Sequence, residues 1–228
     1  MSAQQVTIEV NATETVSGLL LVPEQPVACY VLAHGAGAGM THPFMSAVAE
    51  GLNVRGMATL RYQFPYMQNG SKRPDRPALA QATVRAAVAA ATNLVPALPL
   101  FAGGKSFGAR MTSQAQAKAL LPTVVGLAFI GFPLHPAGQP SDDRAKHLSD
   151  VRVPMLFVQG TRDALADQRI FVSVLKQLSG LATSHQIEHA DHSFHVPVRS
   201  GKTDAQVLDE ALDALTTWAS GIARRKSP

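Results

Sequence analysis

Residues Leu98 to Arg110 read L-P-L-F-A-G-G-K-S-F-G-A-R, and this stretch decides the fold. Its apolar beginning is typical of a buried strand, and the Ala-rich segment after it predicts a helix. Gly104-x-Ser106-x-Gly108 lies at the junction, in the strand, turn and helix context of a nucleophile elbow. The glycines allow a sharp turn, and the start of a helix offers amides and a positive dipole end to an anion. The stretch therefore predicts that Ser106 is a nucleophile.

Predicted strands and helices alternate on both sides of this stretch. Two strand-like runs, 5–10 and 17–22, flank a turn and predict an antiparallel hairpin at one edge of a sheet. Further strands are predicted at 28–33, 57–62, 124–132, 154–159 and 184–189. Helices are predicted at 43–55, 78–94, from the elbow to 121, 165–178 and 204–224, with a short one near 142–148. The pattern indicates one α/β domain, 1–228, built on a mostly parallel, doubly wound sheet.

The composition is that of a globular protein with a large core. Hydrophobic residues make up 46% of the 228 residues, charged residues make up 16%, and the net charge is +4. The cations are scattered, so we expect no nucleic-acid partner. The single cysteine, Cys29, excludes an internal disulfide, and we expect it in the core. Because we find no signal peptide and no apolar stretch near the ~20 residues that span a bilayer, we expect a cytoplasmic protein without a membrane partner.

A serine hydroxyl needs a base that takes its proton, normally a histidine that a carboxylate orients. In parallel α/β folds such groups lie on loops at the carboxyl ends of strands. Asp163 follows the predicted strand 154–159, and His192 follows the predicted strand 184–189. The order serine, aspartate, histidine is that of α/β-hydrolases, whereas subtilisin-like and chymotrypsin-like enzymes use other orders. We therefore predict Ser106 as the nucleophile, His192 as the base and Asp163 as the acid.

Other histidines and aspartates near these positions are weaker candidates. We expect His189 to lie within its strand, and His195 is followed by a Val-Pro pair. Asp191 is adjacent to His192, and neighbouring side chains tend to point apart. Asp167 should fall inside the helix that follows the strand. These placements favour Asp163 and His192.

An acyl-transfer reaction also needs N–H donors for the oxyanion. One donor should be the amide of Phe107, which follows the nucleophile. The other should come from the loop after an earlier inner strand, and the Gly-rich turn that begins at His34 occupies that place. Its small residues let backbone N–H groups approach a ligand. Ala36 is our first choice for this donor and Gly37 the second.

Two nucleotide-binding motifs are each excluded by one residue that stands where the motif requires glycine. A P-loop that ends in Gly104-Lys105-Ser106 would need glycine at the position of Pro99. A dinucleotide-binding loop that starts at Gly35 would need its third glycine at the position of Met40. The sequence therefore predicts neither a nucleotide nor another organic cofactor, and it predicts no metal site.

The chain resembles small α/β-hydrolases of the dienelactone-hydrolase-like kind. More narrowly, it resembles the family shared by uncharacterised bacterial hydrolases and the third regulatory subunit of the eukaryotic NSL acetyltransferase complex. The resemblance implies the α/β-hydrolase fold and the same nucleophile, acid and base, and some relatives serve as parts of complexes. It is carried by the segments His34-Gly-Ala-Gly-Ala, Arg61-Tyr-Gln-Phe-Pro-Tyr66, Gly103-Gly-Lys-Ser-Phe-Gly-Ala-Arg110, Gly131-Phe-Pro-Leu-His-Pro-Ala-Gly138, Phe157-Val-Gln-Gly-Thr-Arg-Asp163 and Ala190-Asp-His-Ser-Phe194.

Three residues in these segments are candidate substrate-binding residues: His34, Arg110 and His135. Arg110 lies in the first turns of the elbow helix and would bind a substrate anion, buttress the site or form a salt bridge. His135 follows the strand after the elbow and would line the pocket. The segment 132–154 is too short for a separate cap domain, so we expect an open, shallow pocket.

These observations predict a carboxylesterase-like serine hydrolase. Its substrate would be a small molecule with an ester or related acyl bond, cleaved through an acyl-enzyme. The alternative from another class is a catalytically idle interaction scaffold with the same fold. The complete set of serine, aspartate and histidine argues against the scaffold, because a scaffold does not need them.

Overall fold

A sheet of eight strands forms the centre of the computed structural model, which describes residues 2–178 and 180–226. The strands are β1 (Gln4–Glu9), β2 (Thr15–Leu21), β3 (Ala28–Ala33), β4 (Met57–Tyr62), β5 (Leu100–Lys105), β6 (Val124–Ile130), β7 (Met155–Gly160) and β8 (Ala182–Ile187). Their order across the sheet is β1-β2-β4-β3-β5-β6-β7-β8. Strand β2 is antiparallel to β1 and β4, and the other neighbours are parallel.

Helices cover both faces of this sheet. They are α1 (Pro43–Val54), α2 (Pro65–Gln68), α3 (Pro77–Leu94), α4 (Phe107–Lys118), α5 (Gln168–Gln177) and α6 (Asp204–Lys226). Helices α1 and α6 pack on one face, through residues such as Leu52 and Leu215. Helices α3, α4 and α5 pack on the other, through residues such as Val84, Met111 and Phe171. Each helix buries its apolar stripe against the strands, and this burial is the main stabilising contribution to such a fold.

This architecture confirms the predicted α/β class, with its mostly parallel, doubly wound sheet and antiparallel N-terminal hairpin. The segment between β6 and β7 contains one 3-10 turn, Lys146–Asp150, and it forms no cap domain. Cys29 is fully buried as expected, and burial raises the pKa of its thiol to about 12. Among the described residues, no helix has both the length and the apolar character to cross a membrane.

Two local predictions that bear on the site are wrong. Asp167 does not lie inside α5 but caps it, since its carboxylate accepts hydrogen bonds from the amides of Arg169 (3.0 Å) and Ile170 (3.2 Å). Strand β8 ends at Ile187, so His189 lies in the following turn with a left-handed φ of 64°. The short helix predicted near 142–148 is the later 3-10 turn, and helix α2 was not predicted at all.

Candidate active site

Ser106 lies in the turn between β5 and α4. Its backbone has φ 51° and ψ −107°, which is a strained combination for a residue with a side chain. Strand β3 packs directly against this turn. A Cβ atom at Gly104 would come within 2.1 Å of the Ala33 carbonyl oxygen, and one at Gly108 within 2.6 Å of Ala33. The two glycines of the motif are therefore required by close packing, and the turn that they allow presents the serine at the carboxyl edge of the sheet.

Ser106, His192 and Asp163 form a continuous hydrogen-bonded row. The Ser106 hydroxyl lies 2.9 Å from Nε2 of His192, and Nδ1 of His192 lies 2.7 Å from Oδ2 of Asp163. The three residues follow β5, β8 and β7, whose carboxyl ends meet at the same edge of the sheet. The Nδ1–H group donates to the carboxylate, which leaves Nε2 free to accept the serine proton. The structure thus brings together the three residues that the sequence selects.

The Asp163 carboxylate is held by partners on both oxygens. Its side chain is completely buried, and Oδ1 accepts the Leu165 amide at 2.8 Å. Oδ2 accepts from His192 and also from Nε2 of Gln159, at 2.5 Å. Gln159 is oriented in turn, because its Oε1 accepts the Phe132 amide at 2.9 Å. Gln159 is not among the site residues predicted from the sequence, although a polar residue near the end of the apolar strand β7 was the available signal.

Two backbone N–H groups beside Ser106 have no hydrogen-bond partner among the described residues. One belongs to Phe107, the first residue of α4, and the other to Ala36. Gly37, our second choice for an oxyanion donor, is already engaged, because its N–H donates to the Tyr66 hydroxyl at 2.9 Å. The structure therefore speaks against the second choice, Gly37, and the first choice, Ala36, stays a prediction. Tyr66 belongs to helix α2, so the missed helix explains the missed contact.

His34 is buried behind the oxyanion loop and does not reach the cavity beside Ser106. Its Nδ1–H donates to the Gly35 carbonyl at 2.7 Å, and its Nε2 accepts the Phe64 amide at 3.1 Å. Its ring also packs edge-on against Phe64, with 5.0 Å between the centroids. The residue therefore joins the loops after β3 and β4, and the prediction that it binds substrate is corrected.

Burial lowers the pKa of His34 to about 4, from an ordinary value near 6.5. Between these values the unfolded chain binds more protons, so this contribution to stability is complete above about pH 6.5 and is lost as the pH falls toward 4. We expect a loss of about 3 kcal/mol over this range. A His34→Gln variant should be less stable at pH 7. Its free energy of unfolding, measured with urea, should also decrease less between pH 6.5 and pH 4 than that of the wild type. The same pH dependence of the free energy of unfolding in both proteins would contradict the lowered pKa of His34.

The other two substrate-binding candidates also lie outside the cavity. His135 is buried, its Nδ1–H donates to the Pro136 carbonyl at 2.8 Å, and its Nε2 accepts the Asp167 amide at 2.9 Å. It therefore fixes the start of α5. Arg110 is half-buried and forms no salt bridge among the described residues. Burial and the positive charge of Arg144 lower the pKa of its guanidinium. Of the alternatives for Arg110, the salt bridge is not formed among the described residues, and the anion-binding role stays a prediction.

A solvent-facing cavity of about 370 Å³ lies directly beside Ser106. Its wall includes the candidate oxyanion loop at Ala36 and the imidazole of His192. The remaining lining is largely apolar and comes from several loops and from helix α1, as residues Ala38, Phe44, Met45 and Leu165. This shape fits a small, mainly apolar group held next to the serine hydroxyl.

Comparison with known structures agrees with this architecture. The protein XC6422 from Xanthomonas campestris, described as an α/β serine hydrolase without a lid, is 21% identical with a TM-score of 0.70, and the match covers 94% of this chain and 95% of that one. Dienelactone hydrolase from Anabaena variabilis is 22% identical with a TM-score of 0.71, and the match covers 99% of both chains. The esterase domain of a Rhodothermus marinus protein is 18% identical with a TM-score of 0.72, and the match covers 98% of this chain and 100% of that one. At these identities the likeness shows the fold.

A family model described as the alpha/beta hydrolase domain matches residues 26–220. This range begins just before β3 and ends within α6, so it contains the elbow, the parallel strands and the loops that carry Asp163 and His192. The match spans most of the chain, and the chain therefore belongs to the alpha/beta hydrolase domain family.

Proposed function

We propose that this protein is a serine hydrolase that cleaves an ester or a related acyl bond through an acyl-enzyme. The observation that carries the proposal is the hydrogen-bonded row from Ser106 through His192 to Asp163, which ends at the wall of an open cavity. The row has the nucleophile, base and orienting acid that such a reaction needs. The two unpartnered amides beside it supply the donors for an oxyanion.

In the first half of the reaction, the Ser106 oxygen attacks the acyl carbonyl while its proton moves to Nε2 of His192. The negative charge that develops on the carbonyl oxygen is held by the N–H groups of Phe107 and Ala36. The start of helix α4 adds its positive dipole end at the same place. When the tetrahedral intermediate collapses, the Nε2 proton passes to the leaving alcohol, and the acyl group remains on Ser106.

In the second half, water repeats these steps on the acyl-enzyme. His192 takes a proton from the water, the resulting hydroxide adds to the acyl carbonyl, and the same two amides hold the oxyanion. The proton returns to Ser106 as the carboxylic acid leaves. Asp163 keeps its proton-free form throughout, because its role is to orient His192 and to stabilise the imidazolium.

A fluorophosphonate probe tests this proposal directly, because it reacts with activated serines. We expect one adduct on Ser106 of the wild-type protein, located by mass spectrometry. The absence of an adduct would contradict the proposal. It would favour the alternative from another class, a catalytically idle interaction scaffold, and the narrower resemblance to the NSL subunit family would then be the relevant one.

The cavity beside Ser106 limits the acyl group. A volume of about 370 Å³ holds roughly a dozen water-sized groups, and the acyl chain shares this space with the leaving group, so short acyl chains of roughly two to six carbons should fit best. With p-nitrophenyl esters we expect kcat/KM to be highest in this range and at least about tenfold lower for laurate. A profile that rises steadily to long chains would show that the acyl group binds elsewhere.

A further inference from the structure

Lys105 precedes Ser106 in the elbow, and the proposed reaction does not use it. Its Nζ donates a hydrogen bond to the backbone carbonyl of His192 at 2.6 Å. The same ammonium lies over the Phe194 ring, 5.6 Å from the centroid. No carboxylate of the described residues lies within ion-pair distance of it. The lysine thus connects the nucleophile turn to the turn that carries the proposed base.

The main-chain hydrogen bonds of the turn 191–195 are formed mainly within the turn itself. The Asp191 amide donates to the His195 carbonyl at 3.0 Å, and the Asp191 carboxylate accepts the amides of Ser193 and His195. Phe194 has a left-handed φ of 66°, which is strained for an aromatic residue. Among the described residues, the hydrogen bond from Lys105 is the only one that reaches the main chain of this turn from outside it. A strained turn keeps one geometry only when its surroundings fix it.

Gly131, which directly follows β6, leaves the space that the ammonium group of Lys105 occupies. A Cβ atom at Gly131 would lie 2.9 Å from the Lys105 Nζ, so a larger residue there would displace it. Burial lowers the pKa of Lys105 to about 8, although the charges of Asp163 and Asp191 act in the opposite direction. Lys105 is partly buried, and a partly desolvated ammonium without an ion-pair partner is unfavourable for stability. This arrangement is therefore difficult to explain as a stabilising device of the fold.

We propose that Lys105 is a positioning residue, which holds the main chain of His192 so that the imidazole stays in line with Ser106 and Asp163. The inference rests on the proposed function, in which His192 is the base. Lys105 also lines the cavity beside Ser106, and the proposal assigns its effect on the acyl-transfer step to its hold on His192. Its place next to the nucleophile explains how one short turn sets the distance between Ser106 and its base.

The first test measures the position of His192 without any substrate. Proton NMR should show a far-downfield resonance for the Nδ1–H group that His192 donates to Asp163, and a His192→Gln variant assigns it by its absence. We expect Lys105→Met to lose or broaden this resonance. The matched control Lys72→Met, at an exposed lysine, should keep it. An unchanged resonance in Lys105→Met overturns the inference, whether or not the protein turns over esters.

The second test separates positioning from folding. We expect Lys105→Met to lower kcat by about 100-fold with KM changed by less than about threefold, because a small displacement of a reacting group has a large effect on rate. The melting temperature should change little, since methionine keeps most of the apolar side chain and the ammonium, which is only partly buried, forms no ion pair among the described residues. A kcat within about threefold of the wild type overturns the inference. A loss of kcat that is accompanied by a lower melting temperature also overturns it.

Chemical rescue completes the experiment. Lys105→Cys should have the low kcat of Lys105→Met, and alkylation with bromoethylamine, which converts cysteine to γ-thialysine, should restore it. The native Cys29 is fully buried, so it stays unmodified in the folded protein. Failure of rescue after complete modification at position 105 counts against the inference. If the wild type neither reacts with fluorophosphonate nor hydrolyses esters, the proposed function fails, while the NMR result still decides the role of Lys105.

Discussion

Replacing Ser106 with alanine should lower kcat/KM for a p-nitrophenyl ester by about 10⁴- to 10⁶-fold. In the proposed reaction the hydroxyl oxygen bonds to the acyl carbon, and alanine leaves His192 with no group to activate. A residual rate above that of water is expected, because the amides of Phe107 and Ala36 still bind an oxyanion. Labelling by a fluorophosphonate should disappear completely. The melting temperature should change little, since the Ser106 side chain forms one hydrogen bond to the described part of the chain, with His192.

Ser193→Ala is the matched control for this experiment. Ser193 lines the same cavity, but its hydroxyl is not part of the hydrogen-bonded row. We expect its kcat/KM to stay within about tenfold of the wild type and its labelling to persist. If Ser106→Ala kept more than about a tenth of the activity, or if both variants lost labelling equally, Ser106 would not be the nucleophile.

Replacing Asp163 with asparagine should lower kcat by about 10⁴-fold. Both carboxylate oxygens accept hydrogen bonds, Oδ1 from Leu165 and Oδ2 from His192 and Gln159. The asparagine NH₂ group must therefore face another hydrogen-bond donor, whether it takes the position of Oδ1 or that of Oδ2. If it faces His192, the imidazole changes tautomer and Nε2 carries a proton, so it cannot accept one from Ser106.

The fold should tolerate this substitution with a loss of about 1–3 kcal/mol in the free energy of unfolding, the cost of one unsatisfied buried donor. Asp167→Asn is the control, because Asp167 caps α5 and asparagine caps helices equally well. Chemical denaturation and steady-state kinetics of both variants check the prediction. Equal kcat values in the two variants would remove Asp163 from the mechanism.

The fold class followed from sequence because its signals are local. The apolar run that became β5, followed by Gly104, Ser106 and Gly108, carries the turn in a few residues. The order of Ser106, Asp163 and His192 also led to the right place, because all three follow parallel strands and these strands end at one edge of the sheet. Their catalytic roles stay predictions until the experiments above are done.

The substrate-binding predictions did not succeed in the same way. His34 and His135 lie next to the correct loops, but burial and backbone partners give both rings a structural role. No periodicity or motif distinguishes a buried histidine that joins two loops from one that lines a cavity. Arg110 is a further example of a residue that is near Ser106 in the sequence but does not line the cavity. The side chain of a helical residue near a site can point away from that site.

The sequence by itself determined the alternation of strands and helices, the turn at Ser106 and the chain order of the acid and the base. Only the tertiary structure decided which groups are free to act. The N–H group of Gly37 donates to Tyr66, 29 positions away, whereas that of Ala36 has no partner among the described residues, and Lys105 donates to the main chain of His192, 87 positions away. The physical reason is that backbone geometry and apolar periodicity are encoded by neighbouring residues. A hydrogen-bond partner, by contrast, is set by the packing of segments that are distant in the chain.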